Sequence, residues 1–238
     1  MIPITRFDAN ISKGILYTVK EHRMTDILIG LHKNSDQNEF LGQTAEHILE
    51  NIPETIYIYK PVQPFNTLKR MVVLVTPDAE LEAGFLHWFI KVSNIAKSAG
   101  MPVSFYAAAD TLLEMEQAAA AMKNTPKMLF NEFSDWADFL IFSRELKPND
   151  LFMIVSSRKM YLSYHEQLGK LPYYLSKYFE GNSFIILYPK QVNSAIAAEE
   201  IQAFGSDNVD RNVPTSGFIN RLAHTLKRFL TKYPAPKI

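Results

Sequence analysis

The chain of 238 residues contains no cysteine. This absence excludes disulfide bonds, thiolate metal ligands and cysteine nucleophiles, and it is typical of proteins in reducing compartments. Histidine is scarce as well, and its six copies never occur in the HxH or HxxxH spacing that favours a metal site. We therefore expect no metal site.

Net charge is also missing, because 25 lysines and arginines are balanced by 25 aspartates and glutamates. The chain lacks the basic excess of a dedicated nucleic-acid binder, so we expect no nucleic-acid partner. No apolar run approaches the roughly 20 residues that span a bilayer, and the first ten residues do not form a secretory signal. We expect a soluble cytoplasmic chain without direct membrane insertion, either independent or the cytosolic piece of a larger protein.

What the chain does have is apolar residues, 47% of the total, arranged in alternating strands and helices. Continuous apolar strands, rather than strands with alternating polarity, indicate a parallel sheet covered by helices on both faces. Right-handed connections then give an α/β fold with a doubly wound parallel five-strand sheet. The predicted strands are 68–76, 102–108, 126–133, 150–157 and 183–189, and the predicted helices between them are 82–100, 111–123, 135–146 and 172–179.

The first 62 residues resemble the second half of this unit and indicate a truncated second copy. Asp26 aligns with Asp150, Gly42 aligns with Gly169, and residues 56–61 align with residues 185–190. We therefore divide the chain into a partial repeat at 1–62, a complete domain at 66–190 and a helical tail at 191–238.

One candidate site follows the predicted strand at residues 26–32, since open parallel sheets bind ligands beyond the carboxyl ends of their strands. Glycine lets a backbone approach a phosphate, and helix amides near Thr44 could receive an anion. The competing interpretation is that Gly30 permits close strand packing and that Thr44 caps the helix. The candidate nucleotide- or anion-binding residues are Gly30, His32, Gly42 and Thr44.

Three acidic residues, Asp78, Glu80 and Glu82, follow the strand at 68–76. They could contact a ligand, bind a metal or act in acid–base catalysis. They could equally cap the next helix, because carboxylates favour helix N-termini, and this is the interpretation we favour. We expect no catalytic residue, although an enzyme using these acids remains a third hypothesis. The GxSxG, GxxxxGKS and GxGxxG motifs do not occur, so the usual sequence support for hydrolase, P-loop and dinucleotide-binding functions is missing.

The order of strands and helices, the DILIGLH strand and the FLGQT turn resemble the universal stress protein family. Nucleotide-binding members of that family carry Gly, two residues, Gly, nine residues, Gly and then Ser or Thr. Gly30 fits the first position, Lys33 replaces the second glycine, Gly42 arrives one residue early, and Gln43 precedes Thr44. The resemblance implies a fold like that of adenine-nucleotide alpha hydrolases, with ATP or another adenine nucleotide as the ligand of a stand-alone protein.

The paired units, with RFDANISKGI near the start and NSFIILYP further on, are similar to the cytosolic C-terminal region of bacterial cation/proton (sodium/hydrogen) antiporters. That resemblance implies a regulatory or sensory module whose partner is its own membrane transport domain or another copy of itself, in a homodimer. Fifth strands of the family pair antiparallel across a dimer. We therefore predict that residues 55–60 lie antiparallel to residues 183–188 in one continuous sheet.

Overall fold

A computed structural model describes residues 3–31, 40–159 and 161–191 of the chain. Within these ranges seven strands form a single sheet. The strands are β1 (Asp26–Gly30), β2 (Thr55–Lys60), β3 (Arg70–Val75), β4 (Val103–Ala107), β5 (Met128–Glu132), β6 (Asp150–Val155) and β7 (Ser183–Tyr188). The helices are α1 (Ile11–Glu21), α2 (Gln43–Asn51), α3 (Phe85–Ala99), α4 (Ala109–Ala121), α5 (Phe142–Glu145) and α6 (Leu171–Tyr178).

The sheet has the order β1-β2-β7-β6-β3-β4-β5. The five strands from β7 to β5 are mutually parallel, and β1 is parallel to β2. The exception is the pair of β2 and β7, which is antiparallel and places Ile58 opposite Ile186. The predicted pairing of residues 55–60 with residues 183–188 is therefore confirmed.

Both faces of the sheet are buried, which explains why the strands are apolar throughout. In β3, Met71 and Val73 belong to the core on one face, whereas Val72 and Leu74 belong to the core on the other. Helices α3 and α4 cover the first face. Helices α1, α2 and α6, with the segment around α5, cover the second. The fold is thus an α/β fold with a mostly parallel seven-stranded sheet between two layers of helices.

Helix ends follow the local sequence at several positions. The Asn10 side chain caps α1 by accepting hydrogen bonds from the backbone N–H groups of Ser12 and Lys13. Gly100 ends α3 with a φ of 65°, a left-handed conformation that glycine adopts without strain. Pro172 lies in the first turn of α6, where its missing N–H costs no hydrogen bond.

Residues 135–146 differ from the prediction of one regular helix. A 3₁₀ helix runs from Trp136 to Ile141, and α5 adds a single turn after it. The buried aromatic side chains of Trp136, Phe139 and Phe142 are spaced three residues apart, and three residues make one turn of a 3₁₀ helix. The tail predicted at 191–238 lies outside the described residues except for Gln191.

None of the helices in the described ranges combines the length and the apolar character needed to cross a bilayer.

Candidate functional site

Loops from both parts of the chain meet at one end of the strands, where β1 and β2 begin and β3, β6 and β7 finish. We call this end of the sheet the mixed edge, and it is distinct from the edge strands β1 and β5. Because β2 runs antiparallel to β7, the amino ends of β1 and β2 lie at the same edge as the carboxyl ends of β3, β6 and β7. The mixed edge therefore contains the start of β1, the segments 76–84 and 156–168, and the chain after β7. In doubly wound sheets this is where ligands bind, outside the carboxyl ends of the central strands.

A buried contact between Glu82 and Ser163 bridges the two loops at the mixed edge. Oε1 of Glu82 accepts hydrogen bonds from the backbone N–H of Ser163 at 3.1 Å and from its hydroxyl at 2.9 Å. These residues follow β3 and β6, which are adjacent strands. The next long helices, α3 and α6, pack on opposite faces of the sheet. The crevice expected between these strands is thus spanned by the chain's own side chains.

Burial raises the pKa of Glu82 above the ordinary glutamate value, although the hydrogen bonds from Ser163 act in the opposite direction. A raised pKa in the folded state means that the folded chain binds the proton more tightly than the unfolded chain. The ionised form of Glu82 therefore costs stability, and this cost grows as the pH rises from the ordinary glutamate pKa through the raised one.

We predict that Glu82→Gln removes this pH dependence. Glutamine keeps an acceptor oxygen for Ser163 but carries no charge to bury, so the variant should gain stability relative to the wild type as the pH rises from about 4 to 8. Chemical unfolding across this pH range measures the difference. Glu166→Gln, at an exposed position in the same loop, is the control. A Glu82→Gln difference that is constant with pH, or that shrinks as the pH rises, would contradict the assignment.

The other acids of segment 76–84 do not cap a helix through their side chains. Glu80 accepts a hydrogen bond of 2.6 Å from the hydroxyl of Thr111 in α4, and burial raises its pKa. Asp78 is exposed, has a φ of 59° and makes no side-chain capping bond. The predicted capping role is therefore wrong, since Glu80 and Glu82 instead connect neighbouring elements and Gly84 is the residue that begins α3.

Asp26, the first residue of β1, connects the N-terminal strands to α3. Its carboxylate lies 2.8 Å from Nζ of Lys91 and 3.6 Å from Nε2 of the largely buried His87. Thr25 donates a further hydrogen bond of 2.6 Å. Burial acts to raise the pKa of Asp26, but the hydrogen bonds from His87, Lys91 and Thr25 outweigh it and hold the pKa well below the usual range. Asp26 is thus ionised and electrostatically paired.

Backbone groups complete the connection between the two parts of the chain. The guanidinium of Arg158 donates to the carbonyl oxygens of Ile52 and Glu54, both at 2.8 Å, just after α2. The N–H of Gln191 donates to the carbonyl of Pro53 at 2.7 Å. The loops after β6 and β7 therefore hold the segment between α2 and β2 in place.

The sequence-predicted binding residues do not come together with the acids. Gly30 is the last residue of β1, and β1 is antiparallel to β3. Gly30 therefore lies at the end of the strands opposite to the mixed edge, where Asp78 and Glu80 lie. Gly42, with a φ of 77°, precedes α2 as its N-cap residue, so the interpretation of Thr44 as the cap is wrong. Thr44 is exposed in the first turn of α2. His32 lies outside the described residues.

Among residues 3–31, 40–159 and 161–191, no three acidic or histidine side chains are grouped so that they could hold a metal ion. Lys91 supplies positive charge to Asp26, His87 lies beside the same carboxylate, and the hydroxyl groups of Ser163 and Thr111 donate to the glutamates. The polar groups of the mixed edge are therefore arranged to join parts of the chain to one another.

Comparison with known proteins identifies a fold but not a family. No protein-family model matches the sequence, and no curated protein sequence matches it significantly. Among solved structures, the chain is similar to one described as the crystal structure of the cytoplasmic domain of a prokaryotic cation chloride cotransporter. The TM-score is 0.50 and the sequence identity is 14%, over 78% of this chain and 74% of that chain. At this identity the similarity concerns the fold alone.

Proposed function

We propose that this chain is a cytoplasmic regulatory or sensory module of a cation transport system, which acts through protein contacts and catalyses no reaction. Its partner would be its own membrane transport domain or another copy of itself. The structural similarity to a cytoplasmic domain of a cation chloride cotransporter supports the connection to transport. The resemblance of the sequence to antiporter C-terminal regions supports the same connection.

The observation that carries the non-catalytic part of the proposal is the bridged crevice at the mixed edge. Glu82 and Ser163 occupy the position between β3 and β6 where a nucleotide or substrate would enter a doubly wound sheet. The carbonyl oxygen of Lys190 also lies close to Gly84, so close that a Cβ atom there would stand 2.4 Å away. The loops at this position are bridged by contacts within the chain, and this supports a role in protein contacts.

We further propose that β1, α2 and β2 are a truncated copy of the unit formed by β6, α6 and β7, as in tandem universal-stress-protein-like domains. The two units share the order strand, helix, strand, and in each of them the two strands are parallel neighbours. Asp26 and Asp150 are the first residues of the corresponding strands, as the sequence alignment requires. The second candidate function, a stand-alone stress protein binding ATP at Gly30, Gly42 and Thr44, belongs to the same family resemblance.

Calorimetric titration distinguishes these two functions. We predict that ATP, ADP and cyclic nucleotides bind the full chain no more tightly than about 1 mM. Binding in the micromolar range that is lost in Thr44→Ala would establish the nucleotide-binding alternative and contradict the proposal. The gene and its neighbours provide a second test, because a module of a transport system requires a membrane-spanning partner in the same reading frame or encoded beside it.

A further inference from the structure

Strand β1 ends the sheet, and among the residues that the structure describes no strand pairs with its outer backbone edge. In the described part of the chain its strand partner is β2. The N–H of Leu31 donates to the carbonyl of Tyr59 in β2, so the odd-numbered residues of this segment direct their backbone groups inward. The even-numbered residues Asp26, Leu28 and Gly30 therefore direct their N–H and C=O groups outward, where a further strand would bind.

Exposed apolar side chains surround this edge. Leu28 is 67% exposed, and a groove of about 500 Å³ beside it is lined by Ile4, Ile11 and Ile27 among others. Phe7, which lies in sequence between the groove residues Arg6 and Asp8, is 97% exposed. An apolar patch beside a free strand edge is typical of a surface that binds another chain by strand addition.

The N-terminal segment lines one side of the groove and is bound to α1. Arg6 contacts Glu21 at 2.8 Å, and its guanidinium stacks over the ring of Tyr17 at 5.3 Å. Both partners belong to α1. The segment is thus fastened to the helix, and the groove lies between it and β1.

The two edges of the sheet differ in their protection. Natural edge strands are guarded against pairing by proline, lysine and other charged residues. At the β5 edge, Pro126 and Lys127 precede the strand and Glu132 ends it. Strand β1, DILIG, has neither proline nor lysine, and Asp26, its one charged residue, is paired with Lys91. The β1 edge is accordingly the one suited to pairing.

We propose that β1 pairs antiparallel with β1 of a second copy of the chain, with Leu28 opposite Leu28 at the twofold axis. This arrangement joins two seven-stranded sheets into one of fourteen strands. Leu28 of each copy would exchange both backbone hydrogen bonds with its counterpart, as in the hydrogen-bonded pairs of antiparallel sheets. The exposed leucine side chains would then cover each other.

This register is the one in which all outward-directed residues find partners. Centred on Leu28, it places Asp26 of each copy opposite Gly30 of the other, and Ile27 opposite Ile29. A register centred on Asp26 would oppose two aspartates, which is unfavourable, and one centred on Gly30 would leave Asp26 without a partner. Space beside Gly30 is open, since an added Cβ there would meet no atom within 4 Å.

Sedimentation of the full chain tests the pairing directly. We predict that the wild type is a dimer and that Leu28→Lys raises the dimer dissociation constant by at least about tenfold, because two lysines would face each other at the axis. Leu129→Lys is the matched control, since Leu129 is 51% exposed on the opposite edge strand. A monomeric wild type, or a dimer that Leu28→Lys leaves intact, would overturn the proposal.

A cross-link removes the ambiguity that a folding defect in Leu28→Lys would create. The chain has no cysteine, so Leu28→Cys introduces a single thiol. In the proposed register the two Cα atoms are about 5.5 Å apart, within disulfide range. Mild oxidation should therefore give a covalent dimer with Leu28→Cys but not with Leu129→Cys. Equal cross-linking of both variants, or of neither, would contradict the pairing.

The inference deepens the protein-contact part of the proposed function by naming a surface and a partner. Its outcome is separable from that of the nucleotide titration. If the chain dimerises through β1 and also binds ATP, the proposed function is wrong and the pairing is right. If the chain is a monomer that binds no nucleotide, the pairing is wrong and the proposed function stands.

Discussion

A chain that begins at Pro64 is expected to unfold at a temperature roughly 10 °C below that of the full chain and to self-associate. The truncation removes β2, which covers the backbone edge of β7. It also removes Ile56 and Ile58, which are fully buried in the core on one face of the sheet. An uncovered central strand is a template for aggregation. Thermal unfolding followed by circular dichroism, with light scattering, measures both effects.

A shorter truncation serves as the control. A chain that begins at Asn10 keeps the cap of α1, and the described residues that it loses, 3–9, are exposed and include the surface contacts of Arg6. Surface ion pairs contribute about 1 kcal/mol or less, so its unfolding temperature should change by no more than a few degrees. If the chain from Pro64 proved as stable as the chain from Asn10, the N-terminal strands would be an accessory to the sheet and not part of its structure.

The sequence predicted the sheet well because its strands are buried on both faces. Apolar runs such as residues 68–76 and 150–157 appear as β3 and β6 with small shifts at their ends. That β2 pairs with another strand was also predictable, since a two-strand unit alone buries too little apolar surface to fold. The antiparallel contact with β7 in particular was predicted from the family resemblance. Strands buried on both faces can be predicted in this way because each is a continuous run of apolar residues, and such runs are visible in a single sequence.

The candidate sites were harder to predict because they depend on direction and on distant contacts. The antiparallel pair reverses β1 relative to β3, and this reversal sends Gly30 to one edge of the sheet and Asp78 to the other. As predicted, Gly30 belongs to the first strand and Asp78 follows β3. The relative direction of β1 and β3 decides which loops meet at one end of the sheet. No local sequence pattern specifies that direction.

The contacts of Asp26 show which signal was overlooked. His87 and Lys91 are four residues apart in α3, so they lie on one face of that helix. A lysine that packs against a sheet is stabilised by a negative partner, and a histidine on the same helix face can hydrogen-bond to that partner. Asp26 opens an apolar strand and is the partner, yet it lies more than sixty positions away along the chain. The helix pattern predicts that such a partner exists but not which residue it is.

Gly84, at the mixed edge, is the position where we expect the second large effect on stability. We predict that Gly84→Ala lowers the free energy of unfolding by about 2 to 3 kcal/mol, because overpacking forces the backbone to move. An added Cβ would stand 2.4 Å from the carbonyl oxygen of Lys190, which belongs to the main chain and cannot rotate away. Displacing Lys190 would also disturb the adjacent hydrogen bond from Gln191 to Pro53.

Two further variants separate this steric effect from the other roles of a glycine. Gly84 has a φ of −81°, so a side chain there creates no backbone strain, and it stands at the N-cap of α3. Serine is a better N-cap residue than alanine. If capping governed the outcome, Gly84→Ser would be as stable as the wild type, whereas a steric conflict with Lys190 destabilises both variants. Gly169→Ala is the control, because its added Cβ meets no atom within 4 Å and should change the unfolding free energy little. Urea unfolding of the three variants therefore measures how tightly the chain after β7 packs over the position where related folds admit a ligand.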